Sequence, residues 1–410
     1  MRRQGRLRRA SRLAARRIRV TVALVRRLVT LLSLSLLAHC GGQGTDAKTT
    51  PAPSAGSPMT PPSSSRDEAP SPALDPGDAG TEPVSDAASP LDGGAPGAAP
   101  FMVGYNEAWF GSHYSSDLTS GYDDTLVATT LDGIVAAGGH VVRLWLFEGL
   151  EGVVLGASSP RITGLDAALL PNLEKVLLAA RARKLAVYLT AFDGNAMPQD
   201  AGAVRDLYWN IVNDAYGEGT AYENTVLAPL LTTLGSYKDV VYAFDLMNEI
   251  EAPRIHGYWA DPFGGPRATM QRWASFVKTR APWLRVTSSA GYDTASFDIA
   301  TGFFSGLGLD FYDLHVYSDT GAIPGVANVC ARAKSDGVFM LLGEFGQRSH
   351  VESDSLQLAS TQAFLAAAKS SCFAGALPWR YDAAESYWAY KRSDGSDRPA
   401  VSAVAQAFGP

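Results

Sequence analysis

The chain has 410 residues, 46% hydrophobic and 19% charged, with 16 Phe, 16 Tyr, 8 Trp and a formal net charge of −6. Every aromatic residue lies at Phe101 or later, so the first hundred residues cannot build an ordinary core, whereas the 310 that follow suffice for one large domain or two small ones. The lack of a glycine period, of sustained heptads and of several long apolar runs excludes collagen, a coiled coil and a polytopic membrane protein.

Met1–Arg27 carries eleven Arg and no acid, and without it the chain holds 24 basic against 41 acidic residues. A surface that acidic argues against nucleic acid as a partner. Leu28–Ala38 (LVTLLSLSLLA) is uncharged and runs into Cys40-Gly41-Gly42. A basic front, a short apolar stretch and then small residues read as a secretory signal over 1–40, since a spanning helix needs about 20 apolar residues. Leu37-Ala38-His39-Cys40 resembles the lipobox of bacterial lipoproteins, which implies a lipidated Cys40 and a membrane tether. A plain signal peptide cut nearby is the alternative, and the long Arg-rich front also fits a start codon assigned too early. Residues 41–100 hold 12 of the 24 Pro and 9 Gly. Such a stretch cannot offset its chain entropy and reads as a disordered spacer. The chain is therefore expected to be exported, as a cell-surface or periplasmic lipoprotein or in secreted form.

From Phe101, apolar runs begin near Phe101, His140, Leu185, Val240, Leu284, Leu309, Val338 and Phe373. Helical periodicity lies between them at Asp123–Ala137, Leu165–Arg183, Thr220–Leu234, Pro266–Arg280, Val326–Lys334 and Ser353–Lys369, with a weaker signal at Thr294–Phe304. Eight strand and helix units predict a (β/α)8 TIM barrel spanning 101–410. Each averages about 39 residues, against about 31 in a 250-residue barrel, so the surplus should sit in loops. An open doubly wound sheet is the competitor, but Gly104-Tyr105-Asn106-Glu107-Ala108-Trp109 is no Gly-rich phosphate loop. Cys330 and Cys372 either form a disulfide or remain buried thiols.

In a barrel the carboxyl ends of the strands share one pocket. Those ends carry Asn106 and Glu107, Arg143 with Trp145, Asp193, Asn248 with Glu249, Ser288 and Ser289, His315 with Tyr317, Glu344, and Trp379 with Arg380. An ionised Glu is almost never buried without partners, so a Glu ending each of two apolar runs implies a solvated pocket. Two carboxylates flanking a sugar can cleave a glycosidic bond, one donating a proton and the other attacking carbon or activating water. Arg143 is positioned to keep one of them anionic, or else forms a structural pair with Glu148 or Asp193.

Val142-Arg143-Leu144-Trp145, Asn248-Glu249, His315-Val316-Tyr317, Gly343-Glu344-Phe345-Gly346 and Trp379, in this order at successive strand ends, resemble glycoside hydrolase family 5 and the related retaining (β/α)8 glycosidases. The resemblance implies a double-displacement hydrolase with Glu249 as acid/base and Glu344 as nucleophile. It implies further that Asn248 binds the sugar 2-hydroxyl, Arg143 and Tyr317 support Glu344, His315 lies near the acid/base, and Trp379 floors the cleavage subsite. The strand-three end, Leu189-Thr190-Ala191-Phe192-Asp193-Gly194, lacks a His that many members carry, which leaves a sister family open.

Sugars stack their C–H faces on aromatic rings, so a Trp-lined acidic cleft suits a polysaccharide or oligosaccharide. Asn106 and Trp145 join the expected substrate contacts, and Trp109, Trp209, Tyr258, Trp259 and Trp388 are further platform candidates. Lys184–Tyr188, Met197-Pro198-Gln199 and Arg143–Phe147 look like β-mannanases, so mannan or glucomannan is expected first. Cellulase-like or exo-acting chemistry on the same layout is the alternative. No His-x-x-x-His spacing appears, so no catalytic metal or other cofactor is expected. A monomer is expected. The rival from a different class is a surface lipoprotein that binds carbohydrate without turnover.

Overall fold

The computed structural model describes residues 101–408 except 112, 157–160, 196–202, 260 and 383–386. The signal and spacer expectations, Cys40, and Met197-Pro198-Gln199 lie outside the described residues.

All eight expected strands form: β1 (Met102–Asn106), β2 (Val141–Trp145), β5 (Ala186–Thr190), β6 (Val241–Asp245), β7 (Val286–Thr287), β8 (Phe311–Tyr317), β9 (Phe339–Gly346) and β10 (Phe373–Pro378). Each pairs in parallel with its neighbours in the order β7-β6-β5-β2-β1-β10-β9-β8. A parallel bridge between Ala290 and Leu314 joins the two ends of that series. The chain is a (β/α)8 barrel.

Strand alternation sorts the core into two layers. Met102, Val141, Ala186, Tyr188, Ala243, Phe311, Leu341 and Leu377 meet inside the barrel. Their neighbours Val103, Val142, Val187, Phe244, Tyr312 and Leu342 point outward and pack under the helices. The expected helices appear with small boundary shifts. Asp123 caps Asp124–Ala136 by accepting from Thr125 N and Leu126 N, and Ser353 caps Asp354–Lys369 by accepting from Leu356 N.

Several elements among the described residues were not expected, the largest being these. A hairpin, β3 (Val153–Leu155) with β4 (Ile162–Leu165), follows β2, and helices cover Ala203–Val212 and Ala400–Ala407. The hairpin takes Leu165, which the sequence had placed at the start of a helix; that helix begins at Leu169. Cys330 and Cys372 form a disulfide, with Cα atoms 5.6 Å apart, tying the helix Val326–Asp336 to the start of β10.

Candidate active site

The inward positions of the strands turn from apolar at the base to polar at the carboxyl end. On β2 Val141 is followed inward by Arg143, on β6 Ala243 by Asp245, and on β8 Phe311 by Asp313, His315 and Tyr317. Strict alternation from Leu341 would point Glu344 outward. The register between β8 and β9 shifts instead: Asp313 pairs with Leu341 and His315 with Glu344, so an extra residue on β9 brings Glu344 inside. Gly343 makes this fit, since a Cβ there would lie 2.0 Å from Asp313 Oδ1.

Arg143 is fully buried and organises the floor. Its Nη1 donates to Glu344 Oε1 (2.6 Å) and Asn106 Oδ1 (3.0 Å), and its Nη2 to Asp245 Oδ2 (2.9 Å) and Asn248 Oδ1 (2.8 Å). Burial opposes the guanidinium charge, but Glu344 and Asp245 outweigh it and raise its pKa. Its acidic partners are thus Asp245 and Glu344, neither Glu148 nor Asp193. Tyr317 Oη donates to the other oxygen of Glu344 at 2.8 Å.

Glu249 stands at the end of β6 on a loop folded around Asp245, which accepts from Met247 N (3.2 Å), Ser289 N (3.0 Å) and Ser289 Oγ (2.8 Å). Ser289 Oγ in turn accepts from Glu249 N at 3.1 Å, and Glu249 adopts a left-handed φ of 49°. That backbone region is uncommon for a residue with a side chain and persists only where surroundings impose it.

His315 joins the two acids. Its Nδ1 lies 3.2 Å from Glu249 Oε1 and 3.5 Å from Glu344 Oε2, and its Nε2 faces Asp313 Oδ2 at 3.8 Å. One oxygen of Glu249, one of Glu344 and a His315 nitrogen all fall within 4.8 Å of one another. Burial pushes the His315 pKa down, but the Glu344, Asp313 and Glu249 carboxylates outweigh it and push it up to about 10. Burial raises Glu344, against His315 and Arg143; at Glu249 the same burial is outweighed by His315, Asn195 and Arg143, which bring its carboxyl below the usual range. Glu249, Glu344 and His315 have the donor types of a metal centre, but the Arg143 guanidinium already supplies positive charge to Glu344.

Trp145, Trp379 and Ala108 form a small apolar cluster flanked by Trp109, Tyr317 and Trp388. The Trp145 and Trp379 rings lie 5.4 Å apart, and Trp109 meets Trp145 at 5.8 Å. Trp145 Nε1 is buried without a hydrogen-bond partner among the described residues.

Two expected substrate contacts are buried and spend their polar atoms on other parts of the chain. Asn106 has its amide nitrogen on Gly343 O (2.7 Å) and Leu377 O (3.2 Å) and its oxygen on Arg143, so it ties strand ends together. Trp259 is 3% exposed, packs in the outer core and donates to Thr269 Oγ1 (3.3 Å). A large planar side chain in a loop carries no sequence sign of which way it packs.

Sequence reasoning missed Asn195, whose Nδ2 donates to Glu249 Oε2 at 2.7 Å, and Tyr292, whose Oη donates to Asn195 Oδ1 at 2.7 Å. Both lie on loops, where no periodicity reports direction. It also passed over Asp245 and Asp313, which the inward alternation of β6 and β8 would have revealed.

No family model matches the chain, and no curated protein does either. Solved structures do. An endo-1,4-β-mannanase from Eisenia fetida aligns at 18% identity over 77% of this chain and 92% of its own, with a TM-score of 0.55. The exo-β-1,4-mannosidase Op5Man5 from Opitutaceae bacterium strain TAV5 aligns at 19% over 78% of this chain and 61% of its own, TM-score 0.56. A GH5_18 protein from Streptomyces cattleya, solved in complex with GlcNAc, aligns at 16% over 75% and 79%, TM-score 0.58. At these identities the likeness is one of fold: this chain has the (β/α)8 barrel seen in that mannanase, that mannosidase and that GH5_18 structure.

Proposed function

We propose that the chain is a retaining β-glycosidase acting on β-1,4-linked polysaccharide, with mannan or glucomannan as substrate. The observation that carries this is the approach of Glu249 and Glu344 oxygens to within 4.8 Å around His315. Retaining enzymes hold their carboxyl groups about 5–5.5 Å apart, whereas inverting enzymes leave about 6.5–9.5 Å for water.

Glu344, held by Arg143 and Tyr317 in a fixed orientation, attacks the anomeric carbon as Glu249 protonates the departing oxygen. The C–O bond to the leaving sugar breaks as the bond to Glu344 forms. Glu249, now a carboxylate, takes a proton from water whose oxygen attacks the same carbon and releases Glu344. His315 lies 3.2 Å from Glu249 Oε1, within hydrogen-bond reach of the carboxyl that carries the proton in the first step. Fixed dipoles around Glu344 favour the developing charge without reorganising. Trp145 and Trp379 supply the apolar face against which a sugar stacks, and Trp145 Nε1 offers a donor to a hydroxyl.

Mannan is favoured over glucan by the mannanase and mannosidase structures that share the fold, and by the Arg143–Phe147 string. The Arg-rich front and the Cys40 lipobox support export and a membrane tether, with residues 41–100 giving reach. Purified protein offered mannan, glucomannan, cellulose and xylan should release products fastest from the first two. Product sizes separate endo from exo cleavage, and glycan binding without any hydrolysis would select the non-catalytic rival. Proton NMR of the first-formed anomer should show retention; an inverted first product would overturn the mechanism.

A further inference from the structure

Three acids at the same end of the barrel take no part in the chemistry above. Asp117 follows β1, and Glu148 and Glu151 lie at the single turn Glu148–Leu150 and just beyond it, after β2. Their exposures are 2%, 1% and 3%. One oxygen of each is held by the chain: Phe110 N donates to Asp117 Oδ2 (3.1 Å), Ser115 N to Glu148 Oε1 (3.3 Å), and Leu118 N to Glu151 Oε1 (2.9 Å). Thr119 Oγ1 also donates to Glu151 Oε1, at 2.7 Å.

Of the opposite oxygens, Glu148 Oε2 is buried without a hydrogen-bond partner among the described residues, while Asp117 and Glu151 meet carboxyl to carboxyl, a contact that needs a proton or a cation between them. One carboxylate oxygen from each residue lies within 4.8 Å of those of the other two. The leading charges acting on Asp117 and Glu148 are those of fellow acids in this group. Three carboxylates in a dry pocket repel one another and lack their hydration, a cost that only protons or a cation can remove.

The geometry points to a divalent cation site built from Asp117, Glu148 and Glu151, with Ca2+ as the ion it fits best. The donors are hard oxygens without Cys or His, which disfavours softer transition metals. Ca2+ takes carboxylate oxygens in flexible geometry, whereas Mg2+ demands near-ideal octahedral geometry and dehydrates reluctantly, which a buried pocket of carboxylates does not favour. The ion would cross-link the loops after β1 and β2. Asp117 holds the backbone of Phe110, next to Trp109, whose ring touches Trp145; the site thus braces the aromatic wall of the cleft from behind.

The test uses the purified chain, stripped with chelator and returned to chelator-free buffer, then titrated with Ca2+ and separately with Mg2+ by calorimetry and thermal melting. The expected result is one Ca2+ per chain, a melting temperature raised by about 5 °C or more at saturation, and Mg2+ binding at least about 10-fold weaker. Glu148→Gln should abolish both the heat and the shift, while Glu344→Gln keeps both. Absence of binding by the parent at about 10 mM Ca2+ would overturn the site. So would loss of the ion in Glu344→Gln with retention in Glu148→Gln, which would place it in the catalytic cluster. Should Glu148→Gln not fold, Glu151→Gln and Asp117→Asn make the same comparison, and the stoichiometries of the parent and Glu344→Gln remain decisive without them.

Discussion

A Cβ at Gly291 would lie 2.3 Å from the carboxyl carbon of Glu249, so this glycine is the space in which the acid sits. Gly291 N is itself fixed by Glu251 Oε2 at 2.9 Å, so the backbone has little freedom to retreat. Gly291→Ala should displace Glu249 and lower kcat by about 100-fold while KM changes little, because misplacing a reacting group by about 1 Å has an effect of that size. Steady-state kinetics on a soluble mannooligosaccharide check it. Unchanged kcat would show that Glu249 does not work from the position seen here.

The two acids should differ in how azide rescues them. Glu344→Ala and Glu249→Ala should each reduce turnover by about 1,000-fold or more. In Glu344→Ala, azide enters from the face the nucleophile left, and a single displacement on an activated β-glycoside gives the α-glycosyl azide. In Glu249→Ala, azide replaces water at the glycosyl-enzyme and gives the β-azide. NMR of the products distinguishes them, and the reverse pattern would exchange the two roles.

Asn195 acts on Glu249 through one hydrogen bond, and that bond lowers the carboxyl pKa. Asn195→Ala should therefore raise it. Because the first step needs protonated Glu249, the alkaline limb of kcat/KM should move to higher pH, with kcat at the optimum down about 10-fold. Tyr292→Phe, which removes the donor behind Asn195, should give a smaller shift in the same direction. A pH–rate profile identical to the parent's would leave Asn195 a purely structural residue.

His315 links stability to pH. Its folded pKa is raised to about 10, from about 6.5 in an unfolded chain, so the folded state binds the extra proton. The stabilisation is fully present below about pH 6.5 and is lost as pH rises through about 10. Urea unfolding between pH 6 and 10 should show this decline, and His315→Gln should flatten it.

The disulfide joins residues 42 positions apart. Closing a loop of that length restricts the unfolded chain by about 4 kcal/mol in the entropic account. Cys330→Ser with Cys372→Ser should lower stability by up to about that amount in denaturant unfolding without changing the substrate preference, since the bridge lies between a helix and the start of β10.

The eight strands and the pairing of Glu249 with Glu344 were legible because parallel strands buried on both faces read as continuous apolar runs, and a charge ending such a run has to reach solvent. Asn106 and Trp259 show the limit of that argument: being at a strand end or being aromatic does not say whether a side chain faces the cleft. The hairpin after β2 was missed for a related reason, since three- and four-residue strands carry too few alternations to register.

Sequence alone determined which residue types gather at the carboxyl ends, because chain order and a two-residue period are local properties. The tertiary structure decided their final directions. Glu344 faces the pocket through a register shift against β8 that no pattern within β9 records, and His315 bridges the acids because strands distant in sequence close into one ring. The Asp117, Glu148 and Glu151 group became visible only once loops from β1 and β2 were brought together. Proximity between carboxylates is a property of the packed chain, set by contacts that only the closed barrel brings into being.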